Sequence, residues 1–495
     1  MQIRRRDFLL SSLAASAGVR LAAQRKRPNI LFCIADDWGW PHAGAYGADW
    51  VETPAFDRIA REGVLFANTF TSNPKCSPCR ASIVTGRNTW QLDEATNHFG
   101  LFPKRWAVYP EVLEDAGYHV GYTGKGWGPG DYKSGGFDRN PAGPQYSDVR
   151  TKPPFRFMST IDYAGNFDAF LEKREDRQPF CFWLGGQEPH RAYQDGAGEA
   201  SGKDWRKVPV PAYYPDDETI KRDMTDYAVE VEYFDSHVGR ALKKLEEIGE
   251  LDNTLVVMTS DHGMPFPRVK GQIYEHGFHL PCAMRWGAME GGRTIEDFVN
   301  VRDFAPTFLE AAGVEIPETV TGSSLVSLLK SGKSGWVTND RNRMLIGKER
   351  HDLGRPNNGG YPVRAIRTKE WLYIRNYEPE RWPGGNPETG YRNCDDSPTK
   401  SRILRSYDQW YRMSFGKRPV EELYRVSEDD ANVDNLAEDP QYRHIKDELR
   451  GEMEAKLKAE GDPRMFGKGG QYDTFEYVGR ATHSYEAWLK NQLPE

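Results

Sequence analysis

Cysteine is scarce in this 495-residue chain: Cys33, Cys76, Cys79, Cys181, Cys282 and Cys394 are all there are. So few thiols exclude a disulfide-stapled scaffold, and a buried core must hold the fold. No segment has the ~18 uninterrupted apolar residues that span a bilayer. Excess positive charge is missing too. Lys and Arg number 66 against 73 Asp and Glu, a net charge of −7, which argues against a nucleic-acid binder. The 48 glycines follow no triplet period, so a collagen-like fibre is excluded, and no repeat or low-complexity tract is visible. What is present is a globular composition, 38% hydrophobic and 12% aromatic, too rich in Trp, Tyr and Phe for disorder. At ~100–200 residues per domain the length allows two to four domains, or one large and one small.

Arg4-Arg5-Arg6-Asp7-Phe8-Leu9-Leu10 opens an apolar, small-residue run that ends near Ala23. A charged start, a short apolar middle and an Ala-rich end read as a signal peptide over 1–23. Its paired arginines resemble the bacterial twin-arginine export signal. The expectation is an exported protein, periplasmic or extracellular, with no membrane segment in its mature form.

Pro28-Asn29-Ile30-Leu31-Phe32-Cys33-Ile34-Ala35 is a short apolar run closed by Asp36-Asp37. Phe180 to Leu184 and Leu255 to Thr259 are two more, the last closed by Ser260-Asp261-His262-Gly263. Runs of this length bounded by turn residues fit strands buried on both faces, in which Cys33 and Cys181 are small hydrophobes. Between them, Thr53 to Glu62 and Met224 to Ile248 show helical spacing, the second stopped by Gly249. Alternating strands and helices predict an α/β domain over 27–343 with a mostly parallel sheet sandwiched by helices. After about Met344 the pattern changes. Val363–Thr368 and Trp371–Ile374 read as two strands, a loop-rich stretch runs from Tyr377 to Arg402, and Pro440 to Glu460 reads as a solvated helix. Residues 344–495 are therefore expected to form a smaller α+β unit with an antiparallel sheet.

In open α/β sheets, ligands sit beyond the carboxyl ends of the strands. If the first and third runs are neighbours, Asp36, Asp37, Asp261 and His262 converge there. Clustered carboxylates repel unless a cation lies between them, so a divalent metal is the natural partner. Lys75-Cys76-Ser77-Pro78-Cys79-Arg80 precedes a helix-compatible run, with Pro78 suited to its first turn. Cys76 would then sit just ahead of a helix N-terminus, a position that activates a thiol. Cys76-x-x-Cys79 also fits a redox pair, whereas zinc would need a second pair of soft ligands that is not visible.

Cys76-Ser77-Pro78-Cys79-Arg80 with Thr85-Gly86-Arg87 resembles the C-x-P-x-R…T-G-R signature of the sulfatase family. The likeness extends to Pro28-Asn29-Ile30 leading to Asp36-Asp37, to Ser260-Asp261-His262-Gly263, and to Glu421-Glu422-Leu423-Tyr424 and Asn435-Leu436-Ala437. Within that family, Cys76-Ser77-Pro78, Glu188-Pro189-His190-Arg191, Met264-Pro265-Phe266-Pro267 and Tyr361-Pro362-Val363-Arg364 look like the sulfamidase, or heparan N-sulfatase, branch. The resemblance implies an alkaline-phosphatase-like fold and a hydrolase acting on a sulfate ester or sulfamate of a sulfated saccharide. It implies that a formylglycine-generating enzyme oxidises Cys76 to formylglycine, whose hydrate attacks sulfur with one hydroxyl and expels sulfate with the other.

Asp36, Asp37, Asp261 and His262, together with Cys76, match the family's metal-ligand positions. Calcium is the expected ion. Manganese or another divalent metal gains weight because His262 stands where relatives often carry Asn. Arg80, Lys125 and Lys270 match the basic residues around the sulfate, and His190 matches the histidine that protonates the leaving atom. Two positions depart from the pattern. Trp127 stands where many members have a histidine, so the base for sulfate release is unassigned, and Gln187 replaces a histidine of the sulfamidase branch. His351 and Arg364, near the domain junction, are expected to line the sugar pocket. Trp38, Trp90 and Trp127 are candidate sugar platforms. Two alternatives are a phosphonate or phosphate ester hydrolase of the same superfold and a redox or carbohydrate-binding protein with a Cys76–Cys79 disulfide.

Overall fold

A computed structural model describes residues 27–287, 289–482 and 484–492; the candidate export signal at 1–23 lies outside them. Seven strands form the main sheet: β1 (Asn29–Ala35), β2 (Val64–Phe66), β3 (His119–Gly124), β4 (Phe180–Gly185), β5 (Thr254–Ser260), β6 (Cys282–Trp286) and β7 (Arg293–Ile295). Their order is β3-β4-β1-β5-β6-β2-β7. The pairs β3–β4, β4–β1, β1–β5 and β2–β7 are parallel, and β6 runs antiparallel to β5 and β2.

Side chains alternate across a strand, and here both faces are covered. Leu31, Cys33 and Ala35 enter one core with Phe182 and Val256, and Ile30, Phe32 and Ile34 enter the other with Trp183 and Val257. The first core is closed by helices α1 (Pro54–Glu62) and α3 (Glu218–Glu247), the second by α2 (Cys76–Thr85) and α4 (Phe304–Ala312). Helix α3 starts before the Met224 expected from its apolar spacing. Its first turn is charged, and the Asp217 side chain caps it by accepting from the Ile220 N–H. Gly249 follows the helix with φ 67°, as a stop residue should.

A second sheet comprises β8 (Arg343–Lys348), β9 (Val363–Thr368), β10 (Trp371–Asn376) and β11 (Glu421–Arg425), all antiparallel in chain order. Helix α5 (Arg443–Ala459) covers it through Leu449, Met453 and Leu457. The two expected strands are its centre; β8 and β11 complete it.

The three tryptophans proposed as platforms are core residues instead. Trp38 packs edge-on against Phe56, Trp127 stacks on Phe102 at 4.8 Å, and the Trp90 indole donates to Glu460. Arg364 also differs from expectation. It is 1% exposed on β9, held between Glu349 at 2.8 Å and Asp462 at 2.7 Å, and faces the Trp90 ring rather than a cavity. Removing one partner of a buried ion cluster strands the others. Arg364→Met should therefore cost about 3–5 kcal/mol, read as a lower urea midpoint; a midpoint equal to the parent's would show the cluster to be dispensable.

Candidate active site

The parallel pairing of β1 with β5 puts Ala35 opposite Ser260. Asp36-Asp37 and Asp261-His262 therefore leave the sheet at the same edge, and each is at most 2% exposed. Asp37 takes a left-handed φ of 75°, and its N–H donates to Asp261 Oδ1 at 3.1 Å. His262 Nδ1 donates to the Gly263 carbonyl, which directs Nε2 at the carboxylates. Asp37 Oδ1 lies 3.0 Å from Nε2, Cys76 Sγ 3.3 Å and Asp261 Oδ1 3.6 Å.

Cys76 opens helix α2 as its first residue, not one ahead of it; Lys75, with φ −145°, is the N-cap. Pro78 falls in the first turn, where backbone N–H groups lack intrahelical partners and the missing donor costs nothing. Gly86, with φ 66°, ends the helix. Burial and the Asp36 charge push the Cys76 thiol up, but Lys125, Lys270 and His262 outweigh them and hold it well below its usual value.

Arg80 lies one turn along α2. Its Nε donates to Asp261 Oδ2 at 2.9 Å and its Nη1 to the Lys125 carbonyl at 2.9 Å, with Asp36 Oδ1 3.5 Å from Nη2. It is wholly buried and acts as a brace behind the site. Lys125, just beyond β3, pairs with Asp36, and Lys270 pairs with Asp37 at 2.6 Å. His190 Nδ1 donates to the Arg191 carbonyl at 2.7 Å. The Nδ1 proton is thereby committed, and Nε2 is the ring atom left for other chemistry.

Ligand atoms of Asp36, Cys76, Asp261 and His262 lie within 4.8 Å of one another, as do those of Asp36, Asp37 and His190. Asp37 Oδ1 is buried and accepts no hydrogen bond of good geometry among the described residues, His262 Nε2 at 3.0 Å being its ion-pair contact. The cluster draws positive charge. Burial pushes the His262 pKa down, yet Asp261, Asp37 and Cys76 lift it to about 9. Convergent carboxylate oxygens, one of them without a well-aligned hydrogen bond, fit a divalent cation.

Asp36, Cys76, Lys125, His190 and Lys270 line one cavity of about 670 Å³. The rest of its wall includes Lys75, His98, Asp352 and Asp395. Asp352 accepts from His98 Nδ1 at 2.9 Å and pairs with Lys75 at 3.1 Å. Of these, only Lys75 stood beside a motif in the sequence; the others come from separate loops with no local signature. His351 is not on the wall. It is buried, its Nε2 donates to Asn73 Oδ1 at 2.9 Å, and its neighbour Asp352 takes the cavity face. Arg364 is absent from the wall as well.

A family model described as Sulfatase matches residues 28–314, and one described as N-sulphoglucosamine sulphohydrolase, C-terminal, matches 266–382. An ulvan-active sulfatase of Formosa agariphila is 28% identical over 448 residues, covering 89% of this chain and 82% of its own. The N-sulphoglucosamine sulphohydrolase of Homo sapiens is 27% identical over 492 residues, covering 87% and 90%. A solved structure described as bound to its substrate D-glucosamine-2-N,6-O-disulfate shares the fold, with a TM-score of 0.65 at 22% identity over 88% of this chain and 99% of that one.

Binding of a cation to the folded state alone raises stability by mass action, about 2.7 kcal/mol at a hundredfold excess over Kd. Calcium or manganese added to chelator-treated protein should raise its melting temperature, and Asp37→Asn should blunt the rise. A parent protein whose melting ignores both ions would count against a metal centre.

Proposed function

The chain belongs to the sulfatase family, and from that premise we propose that it hydrolyses a sulfate ester or sulfamate on a single sulfated sugar, with residue 76 as the nucleophile. The observation that carries this is the placement of Cys76. It heads α2 within the carboxylate–imidazole cluster and shares one cavity with Asp36, Lys125, Lys270 and His190. Oxidised to formylglycine and hydrated, the side chain attacks sulfur with one hydroxyl; sulfate then leaves with that oxygen as the second hydroxyl collapses to the aldehyde, and water adds to restore the hydrate. Asp36, Asp37, Asp261, His262 and residue 76 would hold a divalent cation, which polarises sulfate oxygens. Calcium suits the carboxylates, and the His262 imidazole favours manganese as the alternative.

Lys125 and Lys270 meet the anionic oxygens of the sulfate. Arg80 fixes Asp261 and the Lys125 carbonyl, so that both the carboxylates and the lysine keep their positions. In its doubly protonated form His190 delivers a proton from Nε2 to the leaving oxygen or nitrogen, held in register by the bond of its Nδ1–H to the Arg191 carbonyl. Residues 27–343 form the catalytic domain in this account, and 344–495 supply the far wall through Asp352 and Asp395. The match to the N-sulphoglucosamine sulphohydrolase C-terminal model makes an N-sulfated glucosamine the first substrate to test. The net charge of −7 weighs against tracking along a polyanion and favours a cavity that takes one sugar at a time.

The signal-like sequence at 1–23 supports export to the periplasm or beyond, and the Cys76 motif supports a formylglycine-generating enzyme as the maturation partner. No helix of the described residues is long and apolar enough to cross a membrane.

Protein from cells able to make formylglycine should yield a Cys76 peptide whose mass reports exchange of thiol for aldehyde. Full activity with an intact thiol would refute the mechanism. His190→Gln should lower kcat on a saccharide sulfate about 10²–10⁴-fold, and far less on an aryl sulfate, whose phenolate leaves without a proton. Equal losses on both substrates would remove His190 from the acid role.

A further inference from the structure

Lys270 is held from two sides. Asp37, on the sheet side, is fully buried; Asp395 lies 2.9 Å away on the cavity side, with its side chain 30% exposed. Asp395 comes from the loop-rich stretch between β10 and β11, outside every motif. Its position is nevertheless built. Lys400 Nζ donates to the Cys394 carbonyl at 2.8 Å and to Asp396 Oδ1 at 2.9 Å. Thr399 Oγ1 donates to Asp223 Oδ2 at 2.6 Å, and the same Asp223 takes both terminal nitrogens of Arg191 at 2.8 Å. The segments that carry Asp395 and His190 thus share one brace. Burial pushes the Asp395 carboxyl up, but Lys270, Lys75 and His190 overcome it and keep the group ionised.

A carboxylate in the wall of a cavity that receives an anion needs a reason. Once sulfate oxygens take Lys270, Asp395 stands beside the sugar as an acceptor short of a donor. A hydroxyl or ammonium close to the scissile sulfate on the same ring satisfies it, while a second sulfate there meets it as a like charge in a desolvated contact. We propose that Asp395 is a specificity-determining residue, which admits sugars with a hydrogen-bond donor beside the scissile sulfate and rejects those with a second anion there. The inference rests on the sulfatase reading above.

The test compares kcat/KM within two pairs: N-sulfoglucosamine against its 3-O-sulfated form, and glucosamine 6-O-sulfate against the 4,6-disulfate. In the pair that is hydrolysed, the parent should favour the monosulfated sugar by about tenfold or more. Asp395→Asn should shrink that ratio towards one by raising the disulfated rate relative to the monosulfated, and Asp395→Glu should keep it. Loss of both rates in proportion in Asp395→Asn would reduce Asp395 to a structural role and overturn the proposal. So would a parent that prefers the disulfated sugar, with Arg392 and Arg480 of the cavity wall as the groups that hold its second anion. No turnover of any sulfated sugar would overturn the reaction itself, a different result from turnover without discrimination.

Discussion

The site depends on the register between β1 and β5. Parallel neighbours that end level, Ala35 opposite Ser260, deliver two acidic pairs to one place. A shift of one residue would turn Asp37 and Asp261 to the opposite faces of the sheet. The register is secured by the alternating apolar side chains of both strands, buried in separate cores. The geometry of the candidate site is therefore underwritten by hydrophobic packing away from its charged groups. Arg80 then joins the sheet edge to α2, because its guanidinium reaches Asp261 and the Lys125 carbonyl from the helix that carries Cys76.

The second sheet grips the approach to that helix. Gly347 on β8 donates to the Ser72 carbonyl, His351 holds Asn73, and Asp352 pairs with Lys75, three successive contacts along the residues that lead into Cys76. Lys348 donates to the Gly271 carbonyl at 2.7 Å, next to Lys270. Lys75 and Lys270, near the proposed nucleophile, are thus positioned by β8 and the loop that follows it. This accounts for buried charge at the junction, where Arg364 is clasped by Glu349 and Asp462.

Much of this was legible from residue order. Strands with strong apolar character and acidic ends announced β1 and β5, because a strand buried on both faces needs an unbroken apolar run. Cys76, Arg80, Lys125, His190 and Lys270 lie in short motifs, and the structure brings them to one edge of the sheet. The remaining wall was not legible, because Asp352, Asp395 and His98 lie on loops whose meeting is decided by tertiary packing. Arg364 and His351 misled for a related reason. Their place near the domain junction fits a pocket, but a junction also needs internal ion pairs, and sequence does not separate the two. Trp38, Trp90 and Trp127 followed the commoner fate of large aromatics, which is to fill a core.

Helix α2 is buried along its whole length, and Cys76 is 2% exposed at its head. Any enzyme that must handle the backbone around residue 76 is shut out once α2 has docked between the sheet and α4. The proposed oxidation of that thiol would then be an event of biosynthesis, completed on a chain still being made or not yet collapsed. On that proposal, a molecule that misses this window would fold into an inert look-alike that no later encounter could repair. The active fraction of a preparation would record how folding speed compared with maturation speed in the cell that made it.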